Sequence, residues 1–322
     1  MKAIYHDRFG SPDVLELRDL DTPTPGTGEV LVEVHAAGMN PGDRHAIRGV
    51  PYAARLMGYG LTKPKQTVPG MDLAGRVAAV GDGVTRFAVG DEVFGWTTGA
   101  FAEFATASEQ SLEPKPGHLT FEQAAAVPTA GFAALQALRN VGKLEAGHQA
   151  LVIGASGGVG TFAVQIAKAL GAEVTGVAST SNVDLVRSTG ADRVIDYTVQ
   201  DFTQDSARYD VAVDLVGKAP LSSAARVLKP EGTYVVVGGQ NPDSITGMGR
   251  FVKALALSPV LRRRLRPLFS KPNNDDVGVL RQLLDSGNVL PVIDAVYDLP
   301  GAVEALRYVE AGHTSGKVVL TI

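Results

Sequence analysis

The sequence has no cysteine in 322 residues, which excludes disulfides, thiolate nucleophiles and every cysteine-ligated zinc or iron–sulfur site, and suits a reducing compartment. Nor is there a cationic excess: 30 Lys and Arg stand against 34 Asp and Glu, for a formal net charge of −4. No broad positive field is therefore available to attract nucleic acid. No stretch reaches the roughly 18 uncharged apolar residues of a spanning helix, and MKAIYHDRFG meets Asp7 and Arg8 before any signal-peptide core forms. The expectation is a cytoplasmic protein, neither exported by that route nor integral to a membrane. Fixed-period repeats and low-complexity tracts are also missing, so solenoids and long linkers drop out.

The chain is long enough for two hydrophobic cores, and its 37 glycines lie above the usual roughly 7%. Short β-rich pieces broken by turns occupy the first 123 or so residues: 29–38, 75–81, 91–95 and 100–108. From Thr120 the pattern changes to an Ala-rich helix, then ALVIG at 150–154, a short apolar run suited to a strand buried on both faces. Val159, Phe162, Ala163, Ile166, Ala167 and Leu170 then recur at helical spacing, and Gly171 closes the helix. Alternation continues through strands at 172–178, 192–196, 209–214 and 233–239, with helices near 182–189 and 219–228 and a turn at 229–232. Five strand candidates between helices predict an α/β, doubly wound parallel sheet. The last strand, KVVLTI, is expected to return to the first domain's sheet.

The turn after the 150–153 strand reads GASGGVG, with Ala155, Gly157 and Gly160 in the three positions of a dinucleotide fingerprint. Gly157 leaves room for a pyrophosphate, and Gly160 lets helix and strand pack closely, so that helix N–H groups meet negative charge. The competing reading is a turn that merely joins a strand to a helix. Where an acidic residue would accept the ribose hydroxyl of NAD, the chain has Ala178-Ser179-Thr180-Ser181-Asn182. Without a carboxylate to repel a 2′-phosphate, NADPH is the expected cofactor. Ser179 and Asn182 are equally suited to capping the next helix.

These stretches, with AAGMNPGD (36–43), PGMDLAGRVAAVGDGVTRFAVGDEVFG (69–95), AAAVPTAGFAALQAL (124–138), GADRVIDY (190–197), PEGTYVVVGG (230–239) and GKVVLTI (316–322), resemble the medium-chain dehydrogenase/reductase superfamily. Within it the chain resembles the zinc-free quinone oxidoreductase branch. The resemblance implies a Rossmann domain over 124–270 and a mostly β, GroES-like catalytic domain built from 1–123 and 271–322. Asn40 stands where alcohol dehydrogenases have the first zinc cysteine, and Met71-Asp72 replace their His-Glu pair. Hydride transfer to an electron-poor acceptor, a quinone or an α,β-unsaturated carbonyl, is the implied chemistry when no Lewis acid polarises the substrate.

By the same resemblance the catalytic candidates are Asn40, His45 and Tyr52, with the proton coming from His45, Tyr52 or water. The cofactor-binding candidates are Asn40, Thr129, Ser156, Gly157, Gly158, Val159, Ser179, Thr180, Asn182, Tyr197, Val216, Gly238, Gly239 and Lys317. Turn, cap and surface roles compete at Asn40, Thr129, His45 and Lys317. The family's phosphate-binding lysine is Val183 here, which weakens selectivity for NADPH, although Arg187 follows one turn later. Residues 247–272 carry seven basic residues and no acid. A lid over the acceptor, a subunit contact of a homodimer, or an amphipathic surface touching anionic lipid are three readings of that segment. Pro259 and Pro267 are expected to break it into short pieces. Two other functions stay open: a non-catalytic NADPH-binding or membrane-associated factor, and a zinc-free alcohol or carbonyl dehydrogenase.

Overall fold

The computed structural model describes residues 1–52, 55–238 and 248–322. The chain is α/β and is organised around two large sheets. Six parallel strands form the first, in the spatial order 193–196, 173–178, 149–153, 209–214, 228–236 and 264–267. This is the doubly wound order in which the strand sequence reverses beside the first strand, here Gln149–Ile153. Ala150, Leu151 and Val152 on that strand are fully buried, as its uncharged run requires. The helix Gly158–Ala169 packs against it through Phe162, Ala163 and Ile166.

The second sheet has seven strands, six along one path from Ile293–Asp298 through Lys317–Thr321, Glu29–Met39, Asp72–Val80 and Glu92–Trp96 to Leu112–Pro114, and a seventh, Phe104–Ser108, paired off that path with Glu29–Met39. The final strand lies antiparallel to Glu29–Met39, with Val318 opposite Met39 and Leu320 opposite Ala37. That register brings Lys317 beside Asn40, although 276 residues separate them in the chain. Its core is Val32, Val34, Leu73, Val93, Phe101 and Leu320 among others.

Three local expectations are corrected. The turn at 229–232 lies within the strand Leu228–Val236, where it bulges out: Tyr209 pairs with Leu228 but Val211 already pairs with Thr233. A sixth parallel strand, Arg264–Pro267, was hidden in the basic segment because only Leu265 among its residues is fully buried. Charge and proline are what an edge strand tolerates. Finally, Pro259 sits inside a 13-residue helix, Gly249–Leu261, close enough to its end that few backbone hydrogen bonds are lost. Gly239 falls outside the described residues. No helix among the described residues is long and apolar enough to cross a membrane.

Candidate active site

A cavity of about 1120 Å³ opens along the carboxyl edge of the parallel sheet and ends at Asn40 and Lys317. The glycine turn forms one wall. A Cβ on Gly160 would stand 2.1 Å from the Gly154 carbonyl oxygen, so only glycine lets the helix start this close to the strand. At Gly157, by contrast, the nearest protein atom to a Cβ would be 3.5 Å away, and that residue faces the cavity. The first N–H groups of the Gly158–Ala169 helix have no carbonyl one turn back to bond. The turn therefore meets the needs of a pyrophosphate: space, donors and the positive end of a helix dipole.

At the far end Ser179, Ser181 and Asn182 line the cavity with Tyr197. The Ser179 and Ser181 hydroxyls are 3.1 Å apart, and the Asn182 amide donates to Ser179 at 3.3 Å. Ser315, from the loop before the last strand, crosses the cleft to donate to Asn182 at 2.9 Å. Thr180 is not in the lining; its hydroxyl is engaged by Asp196 and Thr198.

The near end is a buried polar cluster. Pro41 begins the helix Pro41–Arg48, and the Asp43 carboxylate accepts from the Asn40 backbone N–H at 2.7 Å, which closes the first turn. The Asn40 side chain instead donates to Asp72 at 2.9 Å and to the Gly38 carbonyl at 3.3 Å. Asp72 also accepts the Thr129 hydroxyl at 2.6 Å and the Thr129 backbone N–H at 3.1 Å. Lys317 donates to Asn40 Oδ1 and to the Met39 carbonyl, and its ammonium lies 3.9 Å from Asp72. Burial pushes Asp72 up and Lys317 down, and each charge offsets part of the other's penalty.

Asp43 is pushed up to about 7, first by burial and further by the charge on Asp72. A carboxyl raised in the folded state stabilises the protein at low pH, and that contribution is lost as pH rises from about 4 to about 7. Asp43→Asn is expected to remove this slope: the difference in unfolding free energy between variant and wild type, measured in urea, should shift between those pH values and level off above them.

Of the candidates, Asn40, Ser156, Gly157, Gly158, Val159, Ser179, Asn182, Tyr197, Val216 and Lys317 line one cavity. Thr129 and Gly238 do not: Thr129 reaches the site through Asp72, and Gly238 packs its backbone on Leu215. His45 is half-buried on its helix, held below its ordinary pKa by burial and by Arg44, and lies outside the lining. Tyr52 is 53% exposed and faces the Arg55 guanidinium. Sequence reasoning missed Asp43, although Asn40-x-x-Asp43 is the spacing at which a side chain caps a helix start. Asp72 was read only as the replacement for a zinc ligand.

Comparison with known proteins agrees with this architecture. Residues 26–117 match the model of an alcohol dehydrogenase GroES-like domain and residues 189–320 that of a zinc-binding dehydrogenase. The quinone oxidoreductase of Rattus norvegicus is 33% identical over 331 residues, which cover 99% of this chain and 96% of that one. The chain belongs to the medium-chain dehydrogenase/reductase superfamily, in its quinone oxidoreductase branch. A chloroplastic NADPH-dependent alkenal/one oxidoreductase of Arabidopsis thaliana is 33% identical over 336 residues, covering 99% of this chain and 79% of its own. The solved quinone oxidoreductase of Coxiella burnetii superposes with a TM-score of 0.88 at 31% identity, covering 100% of this chain and 99% of that one. Members of the superfamily are oxidoreductases that bind a nicotinamide cofactor.

Proposed function

We propose that this oxidoreductase uses NADPH to reduce a quinone or an α,β-unsaturated carbonyl, without zinc. The observation that carries the reading is one continuous cavity running from the Ser179, Ser181 and Asn182 hydroxyl and amide cluster, past the glycine turn, to the buried Asn40. Ser156 to Val159 would hold the pyrophosphate, and Ser179, Ser181, Asn182 and Tyr197 the 2′-phosphate end. Asn40, Val216 and Lys317 would border the nicotinamide, which when bound supplies the hydride. Thr129 and Thr180 act one step back, by holding Asp72 and Asp196. The proton comes from water in the cavity, because neither His45 nor Tyr52 reaches its lining. Zinc independence is supported by the lack of cysteine and of any metal-suited cluster of three or more side chains among the described residues.

In this reading the Rossmann domain spans 124–270, the catalytic domain spans 1–123 and 271–322, and the protein is a cytoplasmic homodimer. A subunit contact is favoured over a lipid contact at 247–272, since Arg264–Pro267 is the last strand of its sheet. The cofactor assignment is tested by Ser179→Asp. A carboxylate there is expected to weaken NADPH binding by about 10-fold while NADH gains, because it repels the phosphate and accepts the ribose hydroxyl. Titration with both nucleotides checks this; an undiminished preference for NADPH places 2′-phosphate recognition elsewhere. Initial rates with a panel of quinones and enones test the acceptor class.

A further inference from the structure

Building on that reading, the geometry assigns Asp72 and Lys317 as positioning residues for Asn40: together they fix which way its side-chain amide faces at the nicotinamide end of the cavity. Every polar edge of that amide is engaged. Nδ2 donates to Asp72 at 2.9 Å and to the Gly38 carbonyl at 3.3 Å, and Oδ1 accepts from the Lys317 ammonium. Turning the amide over would aim its NH2 at an ammonium and its carbonyl at a carboxylate. Both contacts would become repulsive in a setting where solvent screens little, since Asn40 is 2% exposed, Lys317 3% and Asp72 0%.

Each of the two residues is itself held. Asp72 accepts both the hydroxyl and the backbone N–H of Thr129. Lys317 donates to the Met39 carbonyl at 3.1 Å, and its strand register against Met39 places it beside Asn40. Its stem also runs along the glycine turn: a Cβ on Gly158 would lie 3.0 Å from the Lys317 Cδ. One side chain thus spans from the cofactor turn to the residue at the reacting end. Stem and ammonium therefore have separable roles, the stem packing on the turn and the ammonium orienting Asn40.

Lys317→Met separates them, since methionine keeps an apolar stem and removes the charge. In cofactor-free, ¹⁵N-labelled protein, the two Asn40 side-chain amide protons are expected to give distinct, slowly exchanging signals. Those signals should move toward free-amide shifts and exchange faster with solvent in Lys317→Met and in Asp72→Asn, and be restored in Lys317→Arg. For the reaction, single-turnover hydride transfer from NADPH should slow about 100-fold in Lys317→Met, the effect of a small misplacement at the reacting end, while NADPH affinity falls by much less than that. In an Asn40→Ala background the same change should cost nothing more, because there is no amide left to orient.

If a single change prevents folding, the Asp72→Asn, Lys317→Met pair leaves neither charge of the ion pair buried and is expected to show the same amide signals as Lys317→Met. Unchanged Asn40 signals, or an equal loss in wild-type and Asn40→Ala backgrounds, would overturn the assignment. So would a loss of NADPH affinity with an unchanged hydride step, which would make Lys317 a cofactor contact alone. Wild-type protein that oxidises NADPH with no quinone or enone rejects the proposed reaction instead, and the amide signals then decide the positioning role by themselves.

Discussion

Gly157→Val is expected to fold as the wild type does yet lose NADPH affinity by at least about 100-fold, the equivalent of about 2.7 kcal/mol. A Cβ at that position meets no protein atom closer than 3.5 Å, and the backbone is in an extended conformation open to any residue, so the fold tolerates the change, but the side chain projects where the pyrophosphate belongs. Gly160→Val is expected to fail on both counts. Its Cβ would stand 2.1 Å from the Gly154 carbonyl oxygen and 2.7 Å from the Ala155 carbonyl carbon, and backbone on both sides must move. Overpacking of this kind costs about 1–3 kcal/mol, and the displaced helix start takes the binding donors with it. Urea unfolding and NADPH titration on the two variants check the contrast. Equal stability losses would mean that the turn does not press helix against strand as described.

Arg250→Ala is expected to destabilise the protein by about 3–5 kcal/mol, because it strands a buried carboxylate. Arg250 donates to Asp214 at 2.6 Å and to the Ala219 carbonyl at 3.0 Å, and Asp214 is 1% exposed. The other Asp214 contacts among the described residues cannot replace it. The Tyr234 hydroxyl at 3.0 Å is uncharged, with burial and the neighbouring carboxylate raising its pKa well above the usual tyrosine value. Val216 and Gly217 contribute only backbone N–H groups, at 3.1 and 2.8 Å. Tyr234→Phe, which removes one neutral hydrogen bond, should cost about 1 kcal/mol. Urea midpoints rank the two; a smaller loss in Arg250→Ala than in Tyr234→Phe contradicts the ion-pair account. The consequence extends to the site, since Asp214 holds the Val216 segment that lines the cavity.

The same arginine shows where local sequence was a poor guide. The seven basic residues of 247–272 look alike in sequence because composition cannot tell an inward-facing Arg250 from an exposed Arg264. Phe251, Ala254 and Leu265 from that stretch are buried in the parallel-sheet core, while Val252 and Val260 face outward. The glycine turn was legible because its spacing is local in sequence, between a strand and the helix whose close start Gly160 allows against Gly154 and Ala155. The return of KVVLTI was legible as well, from a terminal run of strand-forming residues left over once the parallel sheet was counted. The cluster around Asn40 was not. Asp72, Thr129 and Lys317 come from three separate elements, and a single sequence holds no periodicity or spacing that joins them. Asp43 alone carries a readable spacing, three residues from the group it binds, and it was missed all the same.

The central claim is that a reduced nicotinamide cofactor, its pyrophosphate held by the turn from Ser156 to Val159, gives its hydride to an electron-poor acceptor beside Asn40. Its most direct test is NADPH deuterated at the transferable position, mixed with chelator-treated protein and an enone, with mass spectrometry of the product. One deuterium on the β-carbon of the saturated ketone, formed in step with NADPH loss and without added metal, is the predicted result. Tight NADPH binding with no deuterium transferred to any enone and no quinone-dependent NADPH oxidation, or turnover that appears only when zinc is restored, would contradict it.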